Sequence, residues 1–227
     1  MEMKVIGHVH SCYGEKFGVP RQPGIVEQAW GELVFEPEFQ KREALRELEG
    51  FSHLWLIFLF HQSVKNEWKS TVRPPRLGGN ERIGVFASRS PFRPNPIGLS
   101  AVKLDEVDLN DGRGPVLRLR GVDLVDGTPI LDIKPYIPYA DAIPDAAGGY
   151  VNRAPESLEV KWQVAAANGL EDQVKQLIEA TLAADPRPAY QHKEQGREYG
   201  CLISGYNVRW EVVDDYVLVH SCSQSFP

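Results

Sequence analysis

Short apolar segments separated by turn signals are the feature that most constrains the fold of this chain. Their β-branched and aromatic residues and their partial alternation predict strands over residues 3–9, 53–60, 98–107, 115–122 and 128–134. The continuous apolar run over 53–60 predicts a central strand that is buried on both faces. Asn110-Asp111-Gly112 and Asp126-Gly127 supply turns between the later strands. Strands joined by short turns, with little helix between them, indicate an antiparallel barrel or sandwich and not a parallel βαβ sheet.

The second part of the chain has a different pattern. A strand is predicted over 158–164, a helix over 170–183, and further strands over 199–220. The helix has its apolar residues on one face and is stopped by Asp185-Pro186. A short helix is also predicted at Gln40–Leu48, and residues 138–157, rich in Pro, Ala, Gly and Asp, predict a surface crossing.

Length and composition exclude several classes of protein. With 227 residues and 42% hydrophobic content, the chain is expected to form one large domain or a domain with a small appendage. No apolar run approaches the roughly 18 residues that span a bilayer, and MEMKVIGHVHS does not resemble a secretory signal. The three cysteines Cys12, Cys201 and Cys222 form no CxxC pair, which argues against a disulfide scaffold and predicts a cytoplasmic protein.

Charge is unevenly distributed along the chain. The net charge is −6, yet residues 61–100 contain seven basic residues against two acidic ones, which gives this segment +5 and the remainder −11. A basic face on an acidic body can steer a polyanion to one place. A solvated loop of mixed charge is the alternative, and composition does not decide between them.

A proline-rich segment, Arg89-Ser90-Pro91-Phe92-Arg93-Pro94-Asn95-Pro96, lies between the apolar runs IGVFA and IGLSAVKL, both of which are predicted to be strands. Each proline fixes its own φ and pushes the preceding residue towards extended conformations, so a stiff, polyproline-like connection is predicted. It would present Arg89, Arg93 and Asn95, and the planar fork of arginine suits carboxylates and phosphates. A proline-rich turn with solvated arginines is the alternative, and we favour a functional site.

The run FASRSPFRPNPIGLS resembles the signature of the TsaA-like family, also known as YaeB or TrmO. Members of this family are S-adenosylmethionine-dependent tRNA methyltransferases built on a small β-barrel. Further matching runs occur in the same order and extend over nearly the whole chain: VPRQPG, GFSHLWLIFLFHQ, TVRPPRLGGN, DLVDGTPILDIKPYIPYAD, DPRPAY and NVRW.

The resemblance implies a fold and an activity. It implies a mainly β protein, with a small antiparallel β-barrel over residues 1–150 that binds S-adenosylmethionine. A small α+β domain over 151–227 would contact tRNA, and a homodimer is expected. The implied reaction is methylation of N6 of N6-threonylcarbamoyladenosine at tRNA position 37, beside the anticodon.

Cofactor contacts follow from the same motif match. By themselves, His61-Gln62 at the end of an apolar strand would be interpreted as a core histidine and its neighbour, and only the resemblance reverses that interpretation. The implied cofactor-binding residues are Pro20, Arg21, Gln22, His61, Gln62, Arg89, Leu99, Gly127, Thr128, Pro129 and Ile130.

Candidates for catalysis and substrate binding are polar residues of the same matching runs, and those in DPRPAY and NVRW are implied by the resemblance alone. Asp132, Lys134 and Tyr136 alternate along a strand and are therefore predicted to share one face. The transferred methyl group displaces a proton, for which Asp132 is the first candidate acceptor and Asp126 the second, with Arg89 as a further catalytic residue. The predicted substrate-binding residues are Arg93, Asn95, Lys134, Tyr136, Arg187, Tyr190, Asn207 and Arg209.

Two other functions fit the residues alone, and a metal site does not. His8 and His10 share a strand face but lack a supporting third ligand, so no metal is expected. The absence of a GxGxxG motif after the first strand argues against the common Rossmann-type methyltransferase. A non-catalytic RNA-binding β-barrel, or a methyltransferase for a small anionic metabolite, remain the alternatives.

Overall fold

The computed structural model describes residues 2–64, 67–151, 153–188, 191 and 196–225. Six strands close into an antiparallel barrel in the order β1-β2-β7-β6-β3-β8. The first eight strands are β1 Gly7–Ser11, β2 Trp30–Phe35, β3 His53–Leu59, β4 Thr71–Val72, β5 Ile83–Gly84, β6 Ile97–Asp108, β7 Val116–Arg120 and β8 Thr128–Pro135. The predicted mainly β barrel is thereby confirmed. β4 and β5 form a separate two-stranded hairpin.

The barrel interior is filled by side chains that point inward at every second position of a strand. In β3, Leu54, Leu56 and Phe58 point into the core, whereas Trp55 and Ile57 on the other face are half-buried. The apolar run over 53–60 was predicted to be a fully buried strand, and this detail is wrong. A closed barrel has an outer face, and only inward positions are covered on all sides.

A register shift in β8 changes which side chains face inward. Ile130 pairs with Phe58, but the next strand pair is Asp132 with Ile57, so one residue of β8 is bulged out. Thr128 and Ile130 are buried, whereas Asp132 lies on the outer face beside Ile57. The bulge therefore separates the inward-facing start of β8 from its outward-facing polar residues.

The rest of the chain forms a second sheet with one long helix. The remaining elements are α1 Pro138–Asp141, β9 Glu159–Trp162, α2 Asp172–Ala183, β10 Tyr199–Ile203, β11 Tyr206–Val213 and β12 Tyr216–Gln224. The sheet order is β10-β11-β12-β9, with β9 parallel to β12. The predicted helix over 170–183 is confirmed, and its apolar face is buried. No helix among the described residues has the length and apolar character to cross a membrane.

Tyr13 ties the two sheets together. Its side chain is fully buried, its hydroxyl lies 3.2 Å from Thr181 Oγ1 of α2, and its backbone bridges Ile203 of β10. Trp210 stacks on Phe17 and Tyr199 in the same core. Barrel and C-terminal sheet thus share one continuous apolar cluster, and the loop that follows β1 is fixed between them.

Three local predictions differ from the structure. The helix predicted at 40–48 is two separate 3-10 turns, Arg42–Leu45 and Leu48–Gly50. The run IGVFA contributes only the two residues of β5 before a 3-10 turn. Strand β2 was not predicted, because its inward positions begin with a glycine and two of its outward positions are the apolar Trp30 and Val34, so its period-2 signal is weak.

Gly98→Ala is expected to destabilise the barrel. A Cβ atom at Gly98 would lie 2.1 Å from Cζ of Phe58, a buried ring that its cross-strand position holds in place. Because the ring has little room to move, we expect a loss of about 1–3 kcal/mol in the unfolding free energy from urea denaturation. Gly84→Ala is the matched control, since a Cβ there meets nothing within 4 Å. Equal effects of the two substitutions would contradict this packing.

Candidate functional site

A cavity of about 250 Å³ lies at one rim of the barrel. Its walls come from the loop after β1, the end of β3, the proline-rich segment, β6 and the segment that leads into β8. Eight of the eleven predicted cofactor-binding residues line it: Pro20, Arg21, Gln22, His61, Gln62, Arg89, Leu99 and Thr128. These residues are far apart in the sequence, and barrel closure brings them together.

The other three predicted cofactor-binding residues lie close by along the chain. Gly127 occupies the turn before β8 with a φ of +76°, a conformation that favours glycine, and its N–H donates to Val9 O. The predicted turn at Asp126-Gly127 is therefore confirmed. Pro129 pairs with His8 across the strands, and Ile130 is buried in the barrel core. These three residues flank Thr128 in the sequence and do not themselves line the cavity.

The proline-rich segment is compact and internally hydrogen-bonded. Arg93 Nη1 donates to the carbonyl oxygens of Ser88 and Ser90, at 2.9 and 3.3 Å, and Arg93 N donates to Pro91 O. The prediction of an extended connection is therefore wrong in this detail, since the segment folds back on itself. Arg89 is exposed and donates to Gln22 Oε1, which links two walls of the cavity. Asn95 is exposed and lies outside the cavity lining.

His61 and Gln62 open a 3-10 turn directly after β3. Partial burial lowers the pKa of His61 below its ordinary value, the Leu59 backbone opposes this shift, and the charges on Lys16 and His8 add to it. The imidazole is therefore mainly neutral at pH 7 and above. Lys16 Nζ bonds to Ser63 Oγ at 3.2 Å and to the carbonyl oxygen of Gln62, which closes this side of the cavity.

Asp123 lines the same cavity and was missed by the sequence analysis. Its Oδ1 atom is buried and has no hydrogen-bond partner among the described residues. Burial raises the pKa of this carboxyl to about 6, against weaker lowering effects of the Ser100 hydroxyl and the Arg89 charge. A buried acceptor without a donor is costly, and such groups mark ligand sites. The available signal was a lone acidic residue in the otherwise apolar run 121–125.

The predicted proton acceptors lie elsewhere. Asp132 Oδ2 pairs with Lys134 Nζ at 2.9 Å on the outer face of β8, and Tyr136 packs against Trp55 with ring centroids 5.5 Å apart. Asp126 accepts from Ser11 N at 3.0 Å and lies 3.4 Å from His10 Nδ1. Asp132 and Lys134 do share a face as predicted, but neither aspartate lines the cavity.

The predicted substrate-binding residues of the C-terminal part differ in their exposure to solvent. Arg187 is only 5% exposed, and its Nε and Nη2 donate to the two carboxylate oxygens of Asp185, at 2.8 and 2.9 Å. Arg187 was predicted to bind substrate, but this ion pair buries its guanidinium away from the surface. Asn207 and Arg209 face solvent on β11, with Arg209 3.4 Å from Glu198. Tyr190 lies outside the described residues.

The histidines of β1 each have a carboxylate neighbour. His8 Nδ1 lies 3.0 Å from Glu36, and His10 faces Asp126. Within residues 2–64, 67–151, 153–188, 191 and 196–225, no cluster of three or more His, Cys, Asp or Glu side chains is placed to hold a metal ion.

The cavity opens into a much larger groove of about 1470 Å³. Arg21, Gln22, Arg89 and Pro91 line both spaces, so the two are continuous. The groove gathers basic side chains from the segment 61–100, and its lining contains no Asp or Glu from the described parts of the chain. These basic residues therefore form one basic surface, which favours the first of the two interpretations of the uneven charge.

A β-barrel with a partly apolar rim cavity, a buried carboxylate and an adjoining basic groove has the features expected of a protein that binds a compact ligand beside a polyanion. Two family models give the chain its family. The tRNA-methyltransferase O N-terminal domain matches residues 8–142, and the TrmO C-terminal domain matches 155–225. The chain belongs to the TrmO family, and the resemblance found in the sequence is confirmed.

Relatives and solved structures agree with this assignment. The chain is 48% identical over 221 residues to "tRNA (adenine(37)-N6)-methyltransferase" of Escherichia coli (strain K12), covering 94% of each chain. It is 48% identical over 212 residues to "Putative S-adenosylmethionine-dependent methyltransferase RcsF" of Pseudomonas aeruginosa, covering 90% of each. It is also similar to the crystal structure of TrmO from Pseudomonas aeruginosa, with a TM-score of 0.80, 38% identity and 98% coverage of both chains.

Asp123→Asn is expected to stabilise the protein at high pH. The folded-state pKa is raised from 3.8 to about 6, so ionisation of Asp123 opposes folding. This penalty is fully present above pH 6 and disappears as the pH falls towards 4. At pH 8 we expect the variant to gain about 1–3 kcal/mol in unfolding free energy, measured with urea, and at pH 4 to gain little. A gain that does not change with pH would contradict a buried, ionised carboxylate.

Proposed function

We propose that this protein is an S-adenosylmethionine-dependent tRNA methyltransferase that acts on N6 of the adenosine at position 37. The names of its relatives support this activity. The observation that carries it is the convergence of eight motif-matched residues from separate segments on one cavity beside a basic groove. We further propose that the substrate adenosine carries a threonylcarbamoyl group, whose carboxylate the arginines at the cavity mouth can bind.

The cavity suits the proposed cofactor in both shape and charge. Phe58, Phe60 and Leu99 provide apolar walls for a nucleoside. The buried Oδ1 of Asp123 has no partner among the described residues, and it can accept from or pair with a cationic group of the ligand. S-adenosylmethionine, when bound, supplies a methyl group already activated by a sulfonium. The protein therefore mainly has to bind, orient and exclude water.

Hydrogen bonds between the walls make the cavity rigid. Arg89 donates to Gln22 across the cavity, and Arg21 Nη2 donates to Arg187 O of the C-terminal part at 2.6 Å. The buried Asp185–Arg187 pair in turn fixes that carbonyl. Alignment of donor and acceptor matters because a misplacement of about 1 Å can cost ~100-fold in rate. In this proposal the C-terminal part therefore supports the loop over 12–29, which supplies Arg21 and Gln22 to the cavity.

The proton acceptor is a separate part of the proposal. Asp132 remains our first candidate and Asp126 our second, although both lie on the outer side of the barrel rim. Lys134 and Tyr136 lie beside Asp132 and would contact the substrate there.

We also infer a homodimer, a cytoplasmic location, and a domain boundary near residue 150. Strands β1 to β8 lie before that boundary, within residues 7–135, and strands β9 to β12 lie after it, within residues 159–224.

Methyl transfer to tRNA is tested with S-adenosylmethionine labelled in the methyl group. The purified protein is incubated with this cofactor and with tRNA from cells that lack the protein. We expect the tRNA to retain the label, and nucleoside mass analysis to place one added methyl on the modified adenosine. Label in small-molecule fractions alone would favour a metabolite methyltransferase. Binding of tRNA without transfer of label would favour a non-catalytic RNA-binding barrel.

Cofactor binding is expected to weaken below pH 6 because Asp123 becomes protonated. The other titratable or charged lining groups are Lys16, Arg21, His61 and Arg89, all of which are basic. By calorimetry, Asp123→Asn is expected to bind S-adenosylmethionine about 10- to 100-fold more weakly at pH 8 and to lose the pH dependence. An unchanged pH profile in the variant would assign the dependence to His61. S-adenosylhomocysteine, which lacks the sulfonium charge, shows whether that charge is the partner.

Asp132→Asn separates catalysis from cofactor binding. Because Asp132 lies outside the cavity, the variant is expected to bind S-adenosylmethionine as the wild type does. If Asp132 accepts the proton, single-turnover methyl transfer should fall by about 100-fold or more. Full turnover with cofactor bound would show that the assignment is wrong.

A further inference from the structure

Two exposed aromatic side chains lie together on the wall of the basic groove. Trp68 is 50% and Phe86 71% exposed, and their rings are stacked with centroids 6.2 Å apart and an interplanar angle of 28°. Single exposed apolar side chains are common on protein surfaces. A stacked pair on the wall of a groove is different, because it presents a larger flat apolar surface to a ligand.

The backbone around this pair is held in place. Thr71 of β4 pairs with Gly84 of β5, and Val85 N donates to Ser70 O at 2.9 Å. Val85 is buried next to Phe86 in the sequence. The guanidinium carbon of Arg93 lies 6.0 Å from the centroid of the Phe86 ring, which adds a cation–π contact. The aromatic pair is thus supported by a hairpin and by the proline-rich segment.

Basic residues near the pair lack the carboxylate partners that three arginines of the barrel wall have. On the barrel, Arg113, Arg118 and Arg120 each form an ion pair with one or more carboxylates. In the groove, Lys69, Arg73 and Arg82 have no carboxylate within ion-pair distance in the part of the chain that the structure describes. In a protein of net charge −6, such a cluster of unpaired cations is suited to an external polyanion.

We propose that Trp68 and Phe86 form a base-stacking platform for an unpaired nucleotide of the tRNA loop. Lys69, Arg73 and Arg82 bind the phosphates of the same strand. The groove is continuous with the proposed cofactor cavity through Arg21, Gln22 and Arg89, so a nucleotide on the platform lies near the adenosine that would receive the methyl group at the cavity mouth. This inference rests on the proposed function, and it adds a second recognition site for the RNA.

Stacking together with unpaired cations favours a single strand over other polyanions. An unpaired base exposes its π face to an aromatic side chain, whereas a base inside a duplex is covered on both faces. Phosphate contacts supply affinity without sequence preference. The platform is therefore expected to distinguish a loop from a helix.

Binding of an anticodon stem-loop RNA, measured by fluorescence anisotropy, tests the platform. Trp68→Ala and Phe86→Ala are each expected to weaken binding by about fivefold to a hundredfold, and Trp68→Phe to recover part of the loss. Phe51→Ala is the matched control, because Phe51 is 37% exposed and precedes β3, at the end of that strand away from the cavity. Equal loss with Phe51→Ala, or equal loss of binding to a blunt RNA duplex, would overturn the platform.

The salt dependence of binding tests the phosphate contacts. Arg73→Ala and Arg82→Ala are each expected to reduce the slope of log K against log salt by about 0.7, the value for one phosphate of a single strand. Arg46→Ala, an exposed arginine outside the groove, is expected to leave the slope unchanged. Unchanged slopes in Arg73→Ala and Arg82→Ala would contradict their role.

Failure of this inference can be distinguished from failure of the proposed function. The platform variants are expected to bind S-adenosylmethionine normally by calorimetry and to methylate tRNA when it is saturating. If the wild type methylates tRNA but Trp68→Ala and Phe86→Ala bind the stem-loop as tightly as the wild type does, the base-stacking platform is refuted and the proposed methyltransferase activity is retained. If the wild type binds neither the stem-loop nor full-length tRNA, both are wrong.

Discussion

The pairing of β8 with two different strands is the constraint on which the rest of the structure depends. Its first residues pair with β1 and its later ones with β3, and the register shift at Ile130 and Asp132 lies between them. This arrangement closes the barrel and turns Thr128 towards the cavity, while Asp132 faces outward. A strand without the shift would place both side chains on one face, because side-chain direction alternates with period 2.

The site holds polar groups whose burial or lack of partners opposes stability. Asp123 is buried without a partner for Oδ1 among the described residues, whereas the exposed arginines of the barrel wall are paired with carboxylates. Arrangements of this kind are common where a ligand provides the missing interaction, since the free energy lost in the unliganded protein is recovered on binding. The cavity and the groove are therefore understood as two parts of one binding surface.

The C-terminal sheet acts on the site through packing. Tyr13 and Trp210 belong to a core shared with the barrel, and Arg21 is bonded to the carbonyl of Arg187. The arginine that the sequence presented as an RNA contact is buried with Asp185. Its effect on function is therefore expected to pass through the loop over 12–29, whose Arg21 it contacts.

The sequence by itself determined the strands of the barrel except β2, the helix α2, the turn at Asp126-Gly127 and, through its motifs, most of the residues that line the cavity. These features depend on local periodicity, on backbone preferences of single residues, and on runs that can be compared directly. Only the tertiary structure showed the isolated buried oxygen of Asp123, the ion pair of Arg187 and the stacked Trp68 and Phe86. Burial and pairing depend on residues distant in the chain, and these become neighbours only when the barrel closes.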